Sequence, residues 1–90
     1  MAGTSTLTVS VVSATSQVWE GEARQVVART TEGEIGILPG HEPVLAILGA
    51  GEVRITSPEG EVSTALADDG FLSVADDKVT VVAREASLQE

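Results

Sequence analysis

His41 is the single histidine of this sequence, and it stands in Gly40-His41-Glu42. As a general base it would need a nucleophile and an orienting acid within hydrogen-bond reach. The chain offers ordinary serines and threonines, none in a Gly-x-Ser-x-Gly elbow. No catalytic residue is therefore assigned, and the chain is not expected to be an enzyme on its own. The acid pairs Asp68-Asp69 and Asp76-Asp77 lack the calcium-loop spacing, and the chain has no cysteine, so no metal site is expected. They read as turn formers. Gly33 and Gly36 frame Glu34-Ile35, but neither a lysine nor a helix start follows, so this is no phosphate cradle. No cofactor is expected. Glu20/Glu22 and Glu32/Glu34 are two apart and share one face of a strand, as a solvated surface or a polar contact with another protein.

These side chains must be carried by strands, because the dominant period is two. Leu7, Val9 and Val11 alternate with Thr6, Thr8 and Ser10, and Val53 and Ile55 alternate with Arg54 and Thr56. Phe71–Val74 and Val79–Val82 are further short strands, with Val81 expected inside. Turn signals recur between them: Glu32-Gly33, Pro39-Gly40, Gly49-Ala50-Gly51, Ser57-Pro58-Glu59-Gly60, Asp68-Asp69-Gly70 and Asp76-Asp77. Such spacing implies an all-β fold, a sandwich or a barrel. Ser57–Gly60 should join strands 52–56 and 61–66 through a type I turn, and Asp76-Asp77 should join 71–75 to 78–83. No window sustains a helical period. Residues 1–5 and 85–90 are expected to fray.

The chain has 90 residues and is one domain. A folded chain of this size buries roughly 60% of its extended surface and is stable by about 5–13 kcal/mol. Its formal net charge is −9, which excludes the lysine/arginine stripe of a nucleic-acid binder and disfavours adsorption to anionic lipid. The 42% hydrophobic content argues against disorder. Aromatics are confined to Trp19 and Phe71, so Val, Ile, Leu and Ala must fill the core. No signal peptide is visible at Met1-Ala2-Gly3-Thr4, and no run is long enough to insert in a membrane.

The run Glu32–Pro43, EGEIGILPGHEP, resembles the signature of the epsilon subunit of F-type ATP synthase. The flanks agree in order. Trp19–Ala23 (WEGEA), Pro43–Leu48 (PVLAIL), Gly51–Ile55 (GEVRI), Gly70-Phe71-Leu72 and Lys78–Ala83 (KVTVVA) each resemble a segment of that family. Ser13-Ala14-Thr15-Ser16 and Asp69-Gly70 depart from its pattern, both in loops. The likeness covers residues 6–84, leaving 1–5 as a disordered start and 85–90 as a C-terminal tail.

The resemblance implies an all-β, two-layer β-sandwich of about ten short strands in the central stalk of the rotor. It would brace the gamma subunit on the ring of c subunits and couple proton flow to ATP synthesis without being catalytic. It also implies a peripheral place on the cytoplasmic face of a bacterial plasma membrane. The family's C-terminal helical hairpin inhibits hydrolysis and in some species binds ATP. This chain stops at Glu90, so coupling without that hairpin and without ATP binding is expected. Glu34, Gly40, His41 and Glu42 form the candidate loop for contact with the c-ring or gamma, with Glu34 as acceptor for a rotor arginine.

One alternative comes from Lys78, the single lysine, which follows Asp76-Asp77. Lipoyl and biotinyl carrier domains expose one modified lysine at a hairpin tip. Lys78 lacks their flanking residues, having Asp77 before it and Val79 after it. A lysine guarding an edge strand is the plainer expectation.

Overall fold

The structure is a computed structural model and describes residues 6–89. The expected disordered stretch 1–5 lies outside the described residues. Seven strands follow one another: β1 (Leu7–Val12), β2 (Gln17–Ala23), β3 (Gln25–Thr30), β4 (Gly33–Ile37), β5 (Val44–Thr56), β6 (Val62–Ala75) and β7 (Lys78–Gln89). They hydrogen-bond in the order β2-β1-β7-β6-β5-β3-β4. β1 and β7 are parallel, and every other pair is antiparallel.

The expectation of about ten short strands is corrected to seven. β5, β6 and β7 run on unbroken from one layer of the sandwich into the other, so turn residues that look like strand ends are bends. β1 and β2 join the layer built from the start of β5, the end of β6 and the start of β7. β3 and β4 join the layer built from the other halves. Ladder pairing lapses between Leu48/Gly70 and Gly51/Ala67, and again between Asp68/Glu85 and Gly70/Ala83. Two residues of β3, from Ala28 to Thr30, span the distance from Val53 to Leu48 on β5, so β5 bulges where Gly49 and Gly51 stand. Asp69 sits there with φ 62, one of the few non-glycine types that enter the left-handed region readily.

The inward faces carry the alternation seen in the sequence. Leu7, Val9, Val11, Leu72, Val74, Val79 and Val81 from one layer meet Val26, Ala28, Ile37, Val53, Ile55 and Ala65 from the other, and among the described residues no polar side chain is buried with them. Aromatic rings are absent from this core. Trp19 lies at its margin, with its ring across Gly21 two residues along the same strand.

The domain also extends further than residue 84. β7 pairs with β6 through Gln89, with Ala86 packed against the core, so residues 85–89 complete the second layer rather than fray. Their apolar alternation is too weak to read in one dimension; the partner strand supplies the order. The Ser57–Gly60 hairpin forms as expected, with Gly60 N–H donating to the Ser57 carbonyl at 2.9 Å. Asp76-Asp77 also makes a hairpin, but both residues have positive φ, 52 and 60, the signature of a type I′ turn. Lys78 begins β7 directly after the Asp76-Asp77 turn, paired with Ala75, and β7 lies between β1 and β6, so it is not on an edge strand.

Candidate functional site

Glu34 belongs to a strand and not to a loop. The tight β3–β4 turn is held by Thr30, whose Oγ1 donates to the Gly33 carbonyl at 2.6 Å and accepts from Glu32 N–H at 3.1 Å. Gly33 has φ 121, which a side chain would strain. Directly after this turn Glu34 pairs across the ladder with Arg29 on the outer face of the second layer. Its Oε2 lies 3.3 Å from Arg54 and 4.0 Å from Arg29. Both guanidiniums approach the same oxygen, so Oε1 is left to accept a further donor. An exposed cluster of this kind adds little stability, since each pair is half in water.

Gly40, His41 and Glu42 sit elsewhere. Glu34 lies near the start of β4 and this loop follows its end, and the steps from Glu34 to Leu38 span roughly 13 Å of extended chain. The structure brings Gly40, His41 and Glu42 together and does not bring Glu34 to them. Leu38-Pro39-Gly40-His41 is a type II turn: His41 N–H donates to the Leu38 carbonyl at 3.1 Å, Pro39 holds the second position and Gly40 has φ 88. His41 Nδ1 lies 2.7 Å from the Glu42 carbonyl. A carbonyl only accepts, so Nδ1 is the donor in this contact.

Two features of the site are not legible from single residues. The first is Asp77, whose Oδ1 accepts the Gly40 N–H at 2.7 Å across the molecule. The second is the outer face of the first layer. Ile47 stands opposite Phe71, Phe71 opposite Val82, and Val82 opposite Val12, so one apolar row crosses four strands. The next row, Leu45, Ser73, Thr80 and Ser10, meets its first charge at Glu20 on β2. Leu45 is 67% exposed, Ile47 56% and Phe71 38%. The other layer's outer face carries Arg29, Glu34 and Arg54 instead. The sequence does hold a signal for the apolar row. The doublets Val11-Val12, Ile47-Leu48, Phe71-Leu72 and Val81-Val82 break the alternation, which means both faces are apolar at those points.

A groove of about 410 Å³ lies between the β3–β4 turn and the start of β5, lined by Glu32, Glu34 and Ile35 on one side and by Val44–Ile47 on the other. It places the Glu32/Glu34 end beside the apolar face. Among the described residues no three metal-ligating side chains converge, and no helix is long and apolar enough to cross a membrane.

Comparison with known proteins adds an independent line. A family model described as "ATP synthase, Delta/Epsilon chain, beta-sandwich domain" matches residues 6–89. The ATP synthase epsilon chain of Streptomyces avermitilis is 48% identical over 84 residues, covering 93% of this chain and 68% of its own length. That of Micrococcus luteus is 50% identical over 82 residues, covering 91% of this chain and 90% of its own. Among solved structures, a chain of the Euglena gracilis mitochondrial ATP synthase (OSCP/F1/c-ring) superposes with a TM-score of 0.86 at 23% identity, over 98% of this chain and 57% of that one. A chain of the Tetrahymena thermophila mitochondrial ATP synthase central stalk and c-ring gives 0.69 at 18%, over 89% and 64%. At those identities the structural likeness is one of fold.

Proposed function

This chain belongs to the delta/epsilon β-sandwich family of ATP synthase subunits, and from that premise we propose that it is a non-catalytic stalk subunit bracing gamma on the c-ring. The observation that carries the proposal is the apolar row on the outer face of the first layer, which crosses four strands without a charge. A chain with net charge −9 has ample charge to cover its strands. It nevertheless aligns Ile47, Phe71, Val82 and Val12 in one outward row, and a contiguous exposed apolar patch marks a protein contact. We assign this face to gamma. The 38–42 loop runs directly into Leu45 and Ile47, so it belongs to the same contact. The Glu32/Glu34 end is assigned to the c-ring, with Glu34 Oε1 as acceptor for a ring arginine.

This division explains why the candidate residues split around β4: one subunit meets two partners and needs two differently built surfaces. Rigidity follows from the fold, because three strands pass unbroken between the layers and torque applied to one layer is carried covalently into the other. The family match over residues 6–89 favours this reading over the carrier-domain alternative.

Two experiments test the assignment. Ile47→Asp places a charge at the middle of the apolar row. It is expected to weaken gamma binding by at least ~30-fold, the scale of losing one interfacial hot spot. Melting should barely move, since Ile47 is 56% exposed. Unchanged affinity in a titration against gamma would sink the assignment of that face. Glu34→Gln keeps the shape and removes the charge. In the assembled enzyme, ATP-driven proton pumping is expected to fall relative to ATP hydrolysis. The isolated chain should lose only about 0–1 kcal/mol, as for an exposed ion pair. Equal losses of coupling and stability would give Glu34 a folding role instead.

A further inference from the structure

Asp77 performs three tasks at once. Its backbone occupies the second left-handed position of the β6–β7 turn, with φ 60. Its carbonyl accepts Thr8 N–H at 2.9 Å, which ties the start of β1 to the turn. Its carboxylate accepts Gly40 N–H at 2.7 Å. The last contact is the informative one. A type II turn leaves the N–H of its third residue outside its own hydrogen bond, so the exposed Gly40 N–H is free to bond beyond the loop. The loop's other hydrogen bonds stay within it, from His41 N–H to the Leu38 carbonyl and between His41 Nδ1 and the Glu42 carbonyl. Among the described residues, Asp77 is thus the loop's one hydrogen-bonded tie to the rest of the sandwich.

We propose that Asp77 is the positioning residue of the gamma contact: its carboxylate holds the 38–42 loop in the pose in which Leu38, His41 and Glu42 meet gamma. The proposal rests on the assignment of this loop to gamma made above. The physical basis is preorganisation. A loop pinned by a charge-assisted bond to a rigid hairpin has less freedom to lose when the partner arrives. The hairpin is rigid because it closes two central strands and because β1 is bonded to its carbonyl. The pose of His41 is thereby referenced to the core and not to solvent.

Two substitutions separate the side chain from the turn. Asp77→Gly removes the acceptor while suiting the turn, since glycine after aspartate is a favoured type I′ pair. Asp77→Asn also tolerates positive φ and keeps an Oδ1 acceptor. With the full chain, the readouts are hydrogen exchange of the Gly40 amide by NMR, affinity for gamma, and the melting curve. In Asp77→Gly, Gly40 protection is expected to vanish and gamma affinity to fall roughly ten-fold, the cost of ordering a few loop residues at docking. Melting should stay close to that of the unsubstituted chain. In Asp77→Asn, both protection and affinity should be rescued to within about two-fold, because the acceptor is restored. Gly40 exchange unchanged in Asp77→Gly would overturn the proposal. So would a freed Gly40 with undiminished affinity for gamma. Failure of the stalk assignment itself is seen separately, as absence of gamma binding by the unsubstituted chain whatever Gly40 does.

Discussion

Gly70→Ala is expected to cost roughly 3 kcal/mol or more, the upper end of overpacking effects, and to lower the melting temperature by about 12–24 °C. The methyl group has nowhere to go. An ideal Cβ on Gly70 would stand 1.9 Å from the Val82 carbonyl oxygen and 2.5 Å from the Ala83 Cα. Both are backbone atoms of the neighbouring strand, so no side chain can swing aside. Relief would require β6 and β7 to part at the bend where both pass between layers. Gly36→Ala is the control, because a Cβ there meets nothing within 4 Å. It should change stability by no more than about 0.5 kcal/mol. Urea unfolding of the two variants beside the parent chain checks both values. Equal stability of the two would show that the close approach at Gly70 relaxes at little cost.

Val81→Asp is expected to abolish the folded state at physiological temperature. Val81 is fully buried, at 0% exposure, and stands opposite Leu72 in the centre of the first layer. No buried polar side chain is at hand to receive a carboxylate. A buried, unpaired carboxylate costs several kcal/mol even after relaxation. Loss of the valine contacts adds to this, against a total stability of about 5–13 kcal/mol for a chain of this size. Val81→Ala removes the same methyl groups without the charge and should cost about 2 kcal/mol, leaving a folded chain with a lower urea midpoint. Circular dichroism and one-dimensional NMR distinguish the outcomes. A cooperative melt of Val81→Asp near that of Val81→Ala would mean that the charge reaches water through a loosened layer.

Local features of this sandwich were legible before any coordinates. The inward set on β1, the hairpins at Ser57–Gly60 and Asp76-Asp77, and the absence of helix all follow from period, turn chemistry and composition. Each depends on residues close together in the chain. The number of strands did not follow. Gly49-Ala50-Gly51 and Asp68-Asp69-Gly70 carry turn chemistry, and in one dimension a bend within a strand looks the same as a turn between strands. Residues 85–89 failed to read as strand for the converse reason: their own pattern is weak, and β6 orders them.

The candidate site divides in the same way. Glu34, Gly40, His41 and Glu42 could be marked from one contiguous motif. The motif could not show that β4 keeps Glu34 apart from the other three, or that two arginines from other strands already hold one oxygen of Glu34. Asp77 read as a turn residue, and its hold on Gly40 spans 37 positions of sequence. The apolar row is the clearest case. Val12, Ile47, Phe71 and Val82 each look unremarkable in place, and only the register of four strands sets them side by side.

The sequence by itself determined an acidic, all-β domain of one core, the turns that reverse it, and the family to which it belongs. The tertiary structure alone decided which strands bend between layers, which row of an outer face is left apolar, and which aspartate holds the 38–42 loop. The physical reason is range. Turn propensities and alternation are set by neighbours a few bonds away. Register, close approach and surface patches are set by strands that meet only after the chain has folded.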